Sequence, residues 1–311
     1  MASLVKDLVE AGIHFGHRAT NWNPKMAPYI FGKRNKIHII DVKETIKGLL
    51  LARKYITRTV ASGKDVLFVG TKRQARGILE QYVPPTGMHY VTERWLGGTL
   101  TNFRTIRERL KRLEELERLE ETGEINNYSK KMESQLRREK TKILRNLGGI
   151  RNMTKLPGVL VVVDVAHEIN AVREARKLGI PTVCLIDTDS DPDFADIPIP
   201  GNDDAMRAIE VVIGSLCAAV MEGKTARAQA QLEQPAGRGE AAGEPQRRRS
   251  RRAQFRAEEE GEPAAGETSP EPTKMGPAAA EGDTDKALTS AVGQDDTARS
   301  DRTSPPQFPS A

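Results

Sequence analysis

The stretch Val159–Asp187, VLVVVDVAHEINAVREARKLGIPTVCLID, contains the pattern that decides the fold. Val159–Asp164 is a continuous apolar run that ends in Asp, and Pro181–Asp187 is a second run of the same kind. Between them, Ala166–Leu178 has the apolar spacing of a helix, which Gly179 ends. Apolar strands separated by helices are typical of a parallel sheet covered by helices on both faces. The stretch therefore predicts an α/β fold.

The same pattern continues on both sides of this stretch. Asp65–Gly70 predicts a strand, and Thr71 is the expected N-cap of a helix over Lys72–Tyr82. Ile197–Pro200 is short and contains two prolines, which predicts a strand at the edge of the sheet. Further helices are predicted at Leu4–Ala11, at Lys43–Ser62 and, after a cap at Asn202 or Asp203, up to about Glu222.

Residues 102–148 interrupt the alternation of strands and helices. Apolar residues recur three or four positions apart from Phe103 to Leu119, and again from Met132 to Leu147, with charged residues between them. Gly123 and the pair Asn126-Asn127 separate the two periodic segments. This pattern predicts an inserted antiparallel coiled-coil hairpin of two helices that projects from the sheet. The hairpin is interpreted either as an arm that contacts a partner or as a solvated helical pair.

The positive charge is concentrated in the N-terminal part of the chain. The whole sequence carries a net charge of +5, but residues 226–311 contain 12 basic and 15 acidic residues, so residues 1–225 carry +8. This excess favours a polyanionic partner, although a mildly basic soluble protein would have the same composition.

Residues 226–311 differ in composition from the rest of the chain. They are rich in Ala, Gly, Glu, Pro, Ser and Arg, and Phe255 and Phe308 are their only aromatic residues. Such a segment cannot bury enough apolar surface to offset its ordering entropy. We therefore expect an α/β domain over residues 1–225 and a disordered tail over 226–311. The basic run Gln246–Arg252 is interpreted as a nucleic-acid contact or as a solvated cluster.

Several features indicate a cytoplasmic protein without a membrane segment. Cys184 and Cys217 lie in apolar runs, as small buried thiols of a reducing compartment do. The start MASLVKDLVE has the pattern of neither a signal peptide nor a transit peptide. The longest apolar run, Val211–Val220, is shorter than the ~20 residues that span a bilayer.

The segment His14–Asp41, HFGHRATNWNPKMAPYIFGKRNKIHIID, is too polar for a core and is predicted to be a surface loop. Cations beside aromatic rings are suited to a phosphate backbone and to unstacked bases. The aromatic residues Trp22, Tyr29 and Phe31 have the alternative role of packing this loop onto the sheet domain, and Trp95 is expected to pack.

Two enzyme-like interpretations remain as alternatives. For a nucleotide site, Gly70-Thr-Lys-Arg-Gln is neither a dinucleotide fingerprint nor a P-loop, and Gly97-Gly98-Thr99 favours a structural turn over an anion nest. For a metal site, His14, His17 and His38 lack an evident fourth ligand. The aspartates of Asp187–Asp193 are spaced as in a calcium loop without its Gly and Glu, and a turn capped by Asp side chains is preferred.

Nine blocks of sequence follow one another in this order: His14–His17, Trp22–Met26, Pro28–Phe31, Arg34-Asn35, Ile37–Asp41, Val69–Lys72, Arg94–Asn102, Lys177–Pro181 and Ile199–Asp204. Together they resemble the bacterial small-subunit ribosomal protein two family over about Leu4 to Glu222. Two positions depart from the family pattern: Asp189 replaces a usual Asn, and Val165-Ala166 replaces a frequent Pro and basic residue, so no RNA contact is assigned at either.

The resemblance implies a flavodoxin-like α/β domain and a structural role in the ribosome, with no catalytic residues, no cofactor, no bound metal and no homo-oligomer. It implies binding to small-subunit ribosomal RNA near the junction of head and body. It also implies contacts with neighbouring proteins, including the recruitment of ribosomal protein one, which captures messenger RNA. A nucleotide- or metal-binding α/β enzyme is the alternative function.

Within this interpretation, basic side chains of the first segment neutralise phosphates, three later arginines extend the contact, and Trp22 stacks on a base. The predicted RNA-binding residues are Arg18, Trp22, Lys25, Lys33, Arg34, Lys36, Arg73, Arg94 and Arg104.

Overall fold

A computed structural model of the chain describes residues 2–233. Most of the predicted tail, residues 234–311, and the prediction that it is disordered lie outside the described residues. Residues 226–233 continue the last helix, which ends at Glu233 and therefore extends beyond the predicted end near Glu222. None of the helices in this described part is long and apolar enough to cross a bilayer.

Eight strands within residues 2–233 form two sheets. They are β1 (Phe15–Arg18), β2 (Ile30–Arg34), β3 (Ile37–Ile40), β4 (Val66–Val69), β5 (His89–Val91), β6 (Val159–Val163), β7 (Thr182–Ile186) and β8 (Ile197–Pro200). The first three form an antiparallel sheet in the order β1-β3-β2. The other five form a parallel sheet in the order β5-β4-β6-β7-β8, which puts β8 at an edge, as predicted. Counted along the chain, this order is 2-1-3-4-5, as in flavodoxin-like sheets.

Seven α-helices accompany these strands in the described residues. They are α1 (Ala2–Glu10), α2 (Val42–Ala61), α3 (Arg73–Tyr82), α4 (Phe103–Glu121), α5 (Lys130–Leu147), α6 (Ile169–Lys177) and α7 (Met206–Glu233). The predicted α/β architecture with helices flanking a parallel sheet is confirmed. Helix α6 begins three residues later than predicted, because Glu168 before it is only 3% exposed and binds the segment after β4.

Alternate residues of the parallel strands face opposite sides of the sheet, and both sides are covered. In β4, Val66 and Phe68 pack with α2, α3 and α7, whereas Leu67 and Val69 pack with α6 and the bases of α4 and α5. Covering on both sides explains why these strands are continuous apolar runs. Cys184 and Cys217 lie buried in these two layers as free thiols, as predicted.

Helices α4 and α5 pack side by side, joined through a short helical turn at Glu124–Asn127. The four central apolar positions predicted in α4, Ile106 to Leu116, are buried, and Phe103 and Leu119 at its ends are partly buried. In α5 the buried positions are those toward its end, Ile143 and Leu147. Ion pairs connect the two helices on the outside, with 3.7 Å between Arg112 Nε and Glu139 Oε1 and a second pair between Lys140 and Glu120.

The prediction that Thr71 caps α3 is wrong. Lys72 occupies the cap position, and its side chain makes no capping hydrogen bond. The backbone N–H of Thr71 instead donates to Oε1 of Glu168 at 2.8 Å, and the Thr71 hydroxyl donates to the same oxygen. The cap is lost because this buried carboxylate binds both donors. The prediction that Asn202 or Asp203 caps the last helix is also wrong, because α7 begins only at Met206. The Asn202 side chain instead accepts from Asp204 N and Ala205 N, in a turn that precedes the helix.

The loop at residues 95–101 wraps around the carboxylate of Glu174 on α6. Backbone N–H groups of Gly98, Leu100 and Thr101 donate to this carboxylate at 2.7, 3.0 and 3.1 Å, and Trp95 Nε1 donates at 3.1 Å. Burial raises the pKa of Glu174, but these hydrogen bonds outweigh the effect and hold the pKa below its ordinary value. The glycine-rich turn is thus structural, as preferred from the sequence, and its amides bind an anion from within the chain.

We predict that Glu174→Gln lowers the free energy of unfolding by about 2–3 kcal/mol, because an amide cannot accept from this many donors. Since the folded-state pKa is depressed, the stabilisation is present above the unfolded value of about 4.5 and is lost as the pH falls below it. Urea unfolding of both proteins between pH 3 and pH 7 measures the difference.

The matched control is Glu114→Gln, at an exposed position of α4 for which the described residues provide no ion pair. It is expected to change stability by less than about 0.5 kcal/mol. Equal stability of Glu174→Gln and wild type at pH 7 would contradict the structural role of the carboxylate.

Candidate nucleic-acid interface

The segment predicted as a surface loop, residues 14–41, is instead a small antiparallel sheet, so that prediction is wrong. Its strands are only four or five residues long, and their exposure does not alternate regularly, which is why the pattern gave no strand signal. Asn35 and Lys36 have φ values of 50° and 63°, which a two-residue hairpin turn of type I′ requires. This turn reverses the chain between β2 and β3.

Four of the predicted phosphate-binding cations surround this hairpin. Arg18 of β1 and Arg34 of β2 are both paired in register with Ile37 of the central strand β3, so the three side chains share one face. Lys33 is paired with His38, and Lys36 lies in the turn itself. All four cations are exposed, and none forms an ion pair with a described residue.

The antiparallel sheet is bound to the carboxyl end of β7. The backbone N–H of His17 donates to Thr188 Oγ1 at 2.9 Å, and that of Asn23 donates to the Thr188 carbonyl at 2.8 Å. Gly16 makes the approach possible, because a Cβ at this position would lie 2.6 Å from Thr188 Cγ2. The contact therefore needs a residue without a side chain at position 16.

Lys72 forms the first part of an ion cluster at the carboxyl ends of the parallel strands. Its Nζ lies 3.2 Å from Asp164 Oδ2, 2.6 Å from Asp203 Oδ1 and 2.7 Å from Asp204 Oδ1. Lys72 follows β4 and Asp164 follows β6, so the pair spans the point where the strand order reverses. Open α/β sheets usually bind a ligand at this point. Here the position is filled by side chains of the protein itself.

His17 brings the antiparallel sheet into the same cluster. Its Nδ1 lies 3.2 Å from Asp187 Oδ2, and its Nε2 lies 3.6 Å from Asp189 Oδ2 and 3.9 Å from Asp204 Oδ2. The interaction with Asp187 is the largest contribution that raises the pKa of His17, to about 9. His17 is therefore protonated at neutral pH and adds a second positive charge to the aspartates.

Asp203 is the most buried acid that Lys72 contacts, at 1% exposure. Burial, followed by the charge of Asp164, raises its pKa to about 7, against the opposing effect of Lys72. The arrangement is a network of ion pairs. In the described part of the chain, no group of three or more His, Cys, Asp or Glu side chains is arranged to hold a metal ion.

The turn after β7 positions Lys25. Lys25 Nζ lies 2.8 Å from Asp191 Oδ2 and 2.6 Å from Asp193 Oδ2. Asp191 also accepts from the backbone N–H of Asp193, which confirms the preferred interpretation of this turn as one capped by Asp side chains. Lys25 is exposed, but unlike the cations of the hairpin it is already paired with carboxylates.

The aromatic residues of the segment occupy different environments. Phe31 is 78% exposed, whereas Trp22 packs against His38 with 5.0 Å between ring centroids and is 37% exposed. Tyr29 is partly buried against the hydrophobic cluster that contains Met26. Trp95 is 9% exposed and packs in that cluster, as predicted.

The remaining predicted cations lie on other elements. Arg73 begins α3 and is exposed without an ion pair among the described residues, and Arg104 near the start of α4 lies 3.4 Å from Glu108. Arg94 follows β5 and lines a cleft beside α5. That cleft also contains basic residues of α5 that were not predicted as RNA contacts, although they recur four or seven positions apart along one face of the helix: Lys130, Arg137, Arg138, Lys142 and Arg145.

The usual ligand position of the parallel sheet is filled by the protein's own ion pairs, and the antiparallel sheet exposes four cations that have no ion pair with a described residue. This arrangement is typical of a binding protein. Residues 8–223 match the family described as Ribosomal protein S2. The small ribosomal subunit protein uS2 of Rhodopirellula baltica is 59% identical over 221 residues, covering 71% of this chain and 85% of that protein. Those of Syntrophobacter fumaroxidans and Synechocystis are each 51% identical, covering 71% and 70% of this chain and 80% and 81% of theirs.

The chain belongs to the ribosomal protein S2 family. It is a structural, non-enzymatic constituent of the small ribosomal subunit, and it acts in translation in the cytoplasm. The predicted family and the predicted absence of enzymatic activity are thereby confirmed, and the alternative of a nucleotide- or metal-using enzyme is set aside.

We predict that His17→Gln destabilises the protein by roughly 1–3 kcal/mol, because it removes a cation from the aspartate cluster. The folded-state pKa is raised, so the stabilisation is fully present below the unfolded value of 6.5 and is lost as the pH rises to about 9. Urea unfolding of both proteins at pH 6 and pH 9.5 measures the difference. A difference that grew with pH would contradict a protonated His17.

Proposed function

We propose that the chain binds small-subunit ribosomal RNA through the antiparallel sheet β1–β3. The observation that carries this proposal is the set of exposed cations around the β2–β3 hairpin, namely Arg18, Lys33, Arg34 and Lys36, which have no carboxylate partner among the described residues. Elsewhere on the surface, many cations are paired with carboxylates, as Lys47 and Arg53 are. When such cations neutralise the phosphates of a nucleic acid, the counterions condensed on that polyanion are released, which favours a nucleic acid over an acidic side chain as the partner.

The rigidity of the hairpin supports the same function. The type I′ turn and the register of β2 with β3 fix the spacing of Arg34 and Lys36 before any ligand binds. Anchoring of β1 to Thr188 and to the aspartate cluster fixes Arg18 relative to the core. A preorganised set of cations loses little side-chain and loop entropy on binding.

Phe31 is the aromatic side chain best placed to stack on an unpaired base, since 78% of it is exposed. Trp22 packs on His38 and keeps 37% of its surface exposed, so it combines a structural contact with surface that a base can contact. Stacking of this kind contributes about 1–3 kcal/mol per base.

The other predicted contacts complete the proposed RNA-binding surface. Arg73 and Arg94 are exposed and unpaired among the described residues, whereas Lys25 and Arg104 exchange nearby carboxylates for phosphate when RNA binds. We further propose that α4 and α5 form an antiparallel coiled-coil hairpin, which their buried leucines and connecting ion pairs support.

The position in the subunit and the protein partners are proposed from the family resemblance. They are a site near the junction of head and body, contacts with neighbouring proteins, and a role in recruiting ribosomal protein one. Family membership supports a place in the small subunit, and Phe15 on β1, which is 49% exposed, supplies apolar surface that a protein partner can cover.

We predict that Arg34→Ala combined with Lys36→Asn weakens binding to small-subunit ribosomal RNA. Asn is chosen at position 36 because it tolerates a positive φ. The slope of log K against log salt should fall by roughly 1.5 for two lost phosphate contacts. Filter binding with the full chain over a range of salt concentrations measures this slope.

Lys54→Ala with Arg58→Ala is the matched control, because both residues are exposed on α2 and unpaired among the described residues. It removes the same charge and should leave the slope unchanged within about 0.5. Equal slopes for the hairpin variant and this control would exclude the hairpin from the RNA-binding surface.

A further inference from the structure

A basic cleft lies between α5 and the residues that follow β4 and β5. One wall is the polar face of α5 from Lys130 to Asn146, and the other contains Arg76 of α3 with Glu93 and Arg94 after β5. The cleft has a volume of about 940 Å³. It is separate in sequence from the antiparallel sheet, none of whose residues lines it.

The charge in this cleft is strongly unbalanced. Seven Lys and Arg side chains line it against two carboxylates, those of Glu93 and Glu133, which leaves an excess of five positive charges. Of the seven cations, four form no ion pair with a described residue: Arg94, Lys130, Arg138 and Lys142.

The two carboxylates hold the other cations in place. Glu93 Oε2 lies 3.1 Å from Arg76 Nη1 and 2.5 Å from Arg145 Nη2, so this single carboxylate connects the two walls of the cleft. Glu133 Oε1 lies 2.7 Å from Arg137 Nη2 on the same helix. The Glu93 carboxylate therefore links the two walls, whereas the Glu133 pair lies within α5.

We propose that this cleft is a second RNA contact, which binds the phosphate backbone and does not read base sequence. Its lining consists of Arg, Lys, Glu, Ser, Thr and Asn and includes neither an aromatic nor an aliphatic side chain. A protein partner would need an apolar anchor, and a base would need a ring for stacking. Phosphate oxygens need only cations and hydrogen-bond donors, which this lining supplies.

The spacing on α5 fits a ligand that is extended along the helix. Four of the lining cations lie on one face of α5 as two pairs, Lys130 with Arg137 and Arg138 with Arg145, and the residues of each pair are seven positions apart. At 1.5 Å per residue, they cover roughly 22 Å of the helix, enough for several consecutive phosphates. The opposite face is occupied by Ile143 and Leu147, which pack into the hydrophobic core.

The cleft proposal rests on the proposed function, since both name RNA as the ligand. The test below distinguishes failure of the cleft proposal from failure of the proposed function. Arg138→Ala with Lys142→Ala removes two exposed, unpaired cations from the cleft. The control, Arg118→Ala with Lys131→Ala, removes two exposed cations of α4 and α5 that do not line the cleft. Binding of the full chain to small-subunit ribosomal RNA is measured at about 50 mM and 200 mM salt.

We expect wild type and control to lose roughly tenfold more affinity over this range than the cleft variant, because the variant makes two fewer phosphate contacts. Equal salt dependence of cleft variant and control would overturn the cleft proposal. If Arg34→Ala with Lys36→Asn still reduced the salt dependence, the proposed function would stand. Absence of salt-dependent binding by wild type would overturn both proposals.

A third outcome identifies a different occupant. If the cleft variant bound isolated RNA as the control does but sedimented less completely with small subunits in a sucrose gradient, the cleft would bind an acidic protein, and the RNA proposal would be wrong. Circular dichroism of both variants checks that the helices are retained.

Discussion

The pairing of Lys72 and His17 with five aspartates is the interaction on which the position of the antiparallel sheet depends. These aspartates follow three neighbouring parallel strands, and Asp187 and Asp203 are each only 1% exposed. Buried carboxylates are costly without cations, and removal of one partner from a buried pair typically costs 3–5 kcal/mol. Lys72 follows β4 of the parallel sheet, and His17 lies in β1 of the antiparallel sheet. The same cluster therefore neutralises the aspartates at the carboxyl ends of the parallel strands and attaches the proposed RNA-binding surface to them.

The parallel sheet could be predicted because its signals are local. The runs at β4, β6 and β7 are continuously apolar, since helices cover both faces, and the prolines of β8 indicated an edge. The antiparallel sheet could not be predicted in this way. Along its strands, buried and exposed residues do not alternate regularly, and apolar residues of the segment differ in burial, since Phe31 is exposed and Met26 is buried. Thr188, which anchors this sheet, lies more than 150 positions away in the sequence. The length of α7 was underestimated because its polar last turns resemble the tail.

The exposure of the predicted basic residues could be expected from the sequence, but the ion pairs that some of them form could not. Arg18, Lys33, Arg34 and Lys36 are exposed and unpaired among the described residues, as a surface for phosphate requires, but the sequence did not reveal that Lys25 is paired with Asp191 and Asp193. Likewise, Gly97-Gly98-Thr99 suggested an anion nest or a turn, and its anion proved to be Glu174, 76 positions after Gly98. Ion pairs between distant residues decide which cations remain free, and no local pattern records them.

Amide hydrogen exchange of a Lys72→Met variant tests most directly whether the aspartate cluster holds the antiparallel sheet on the core. The account predicts that amides of β1–β3 exchange roughly tenfold or more faster than in wild type, while those of β4 and β6 keep most of their protection, because the lost cation lies at the junction. A Lys54→Met variant on α2 serves as the control for loss of one charge. Unchanged exchange in β1–β3, or an equal loss of protection in both sheets, would contradict the account.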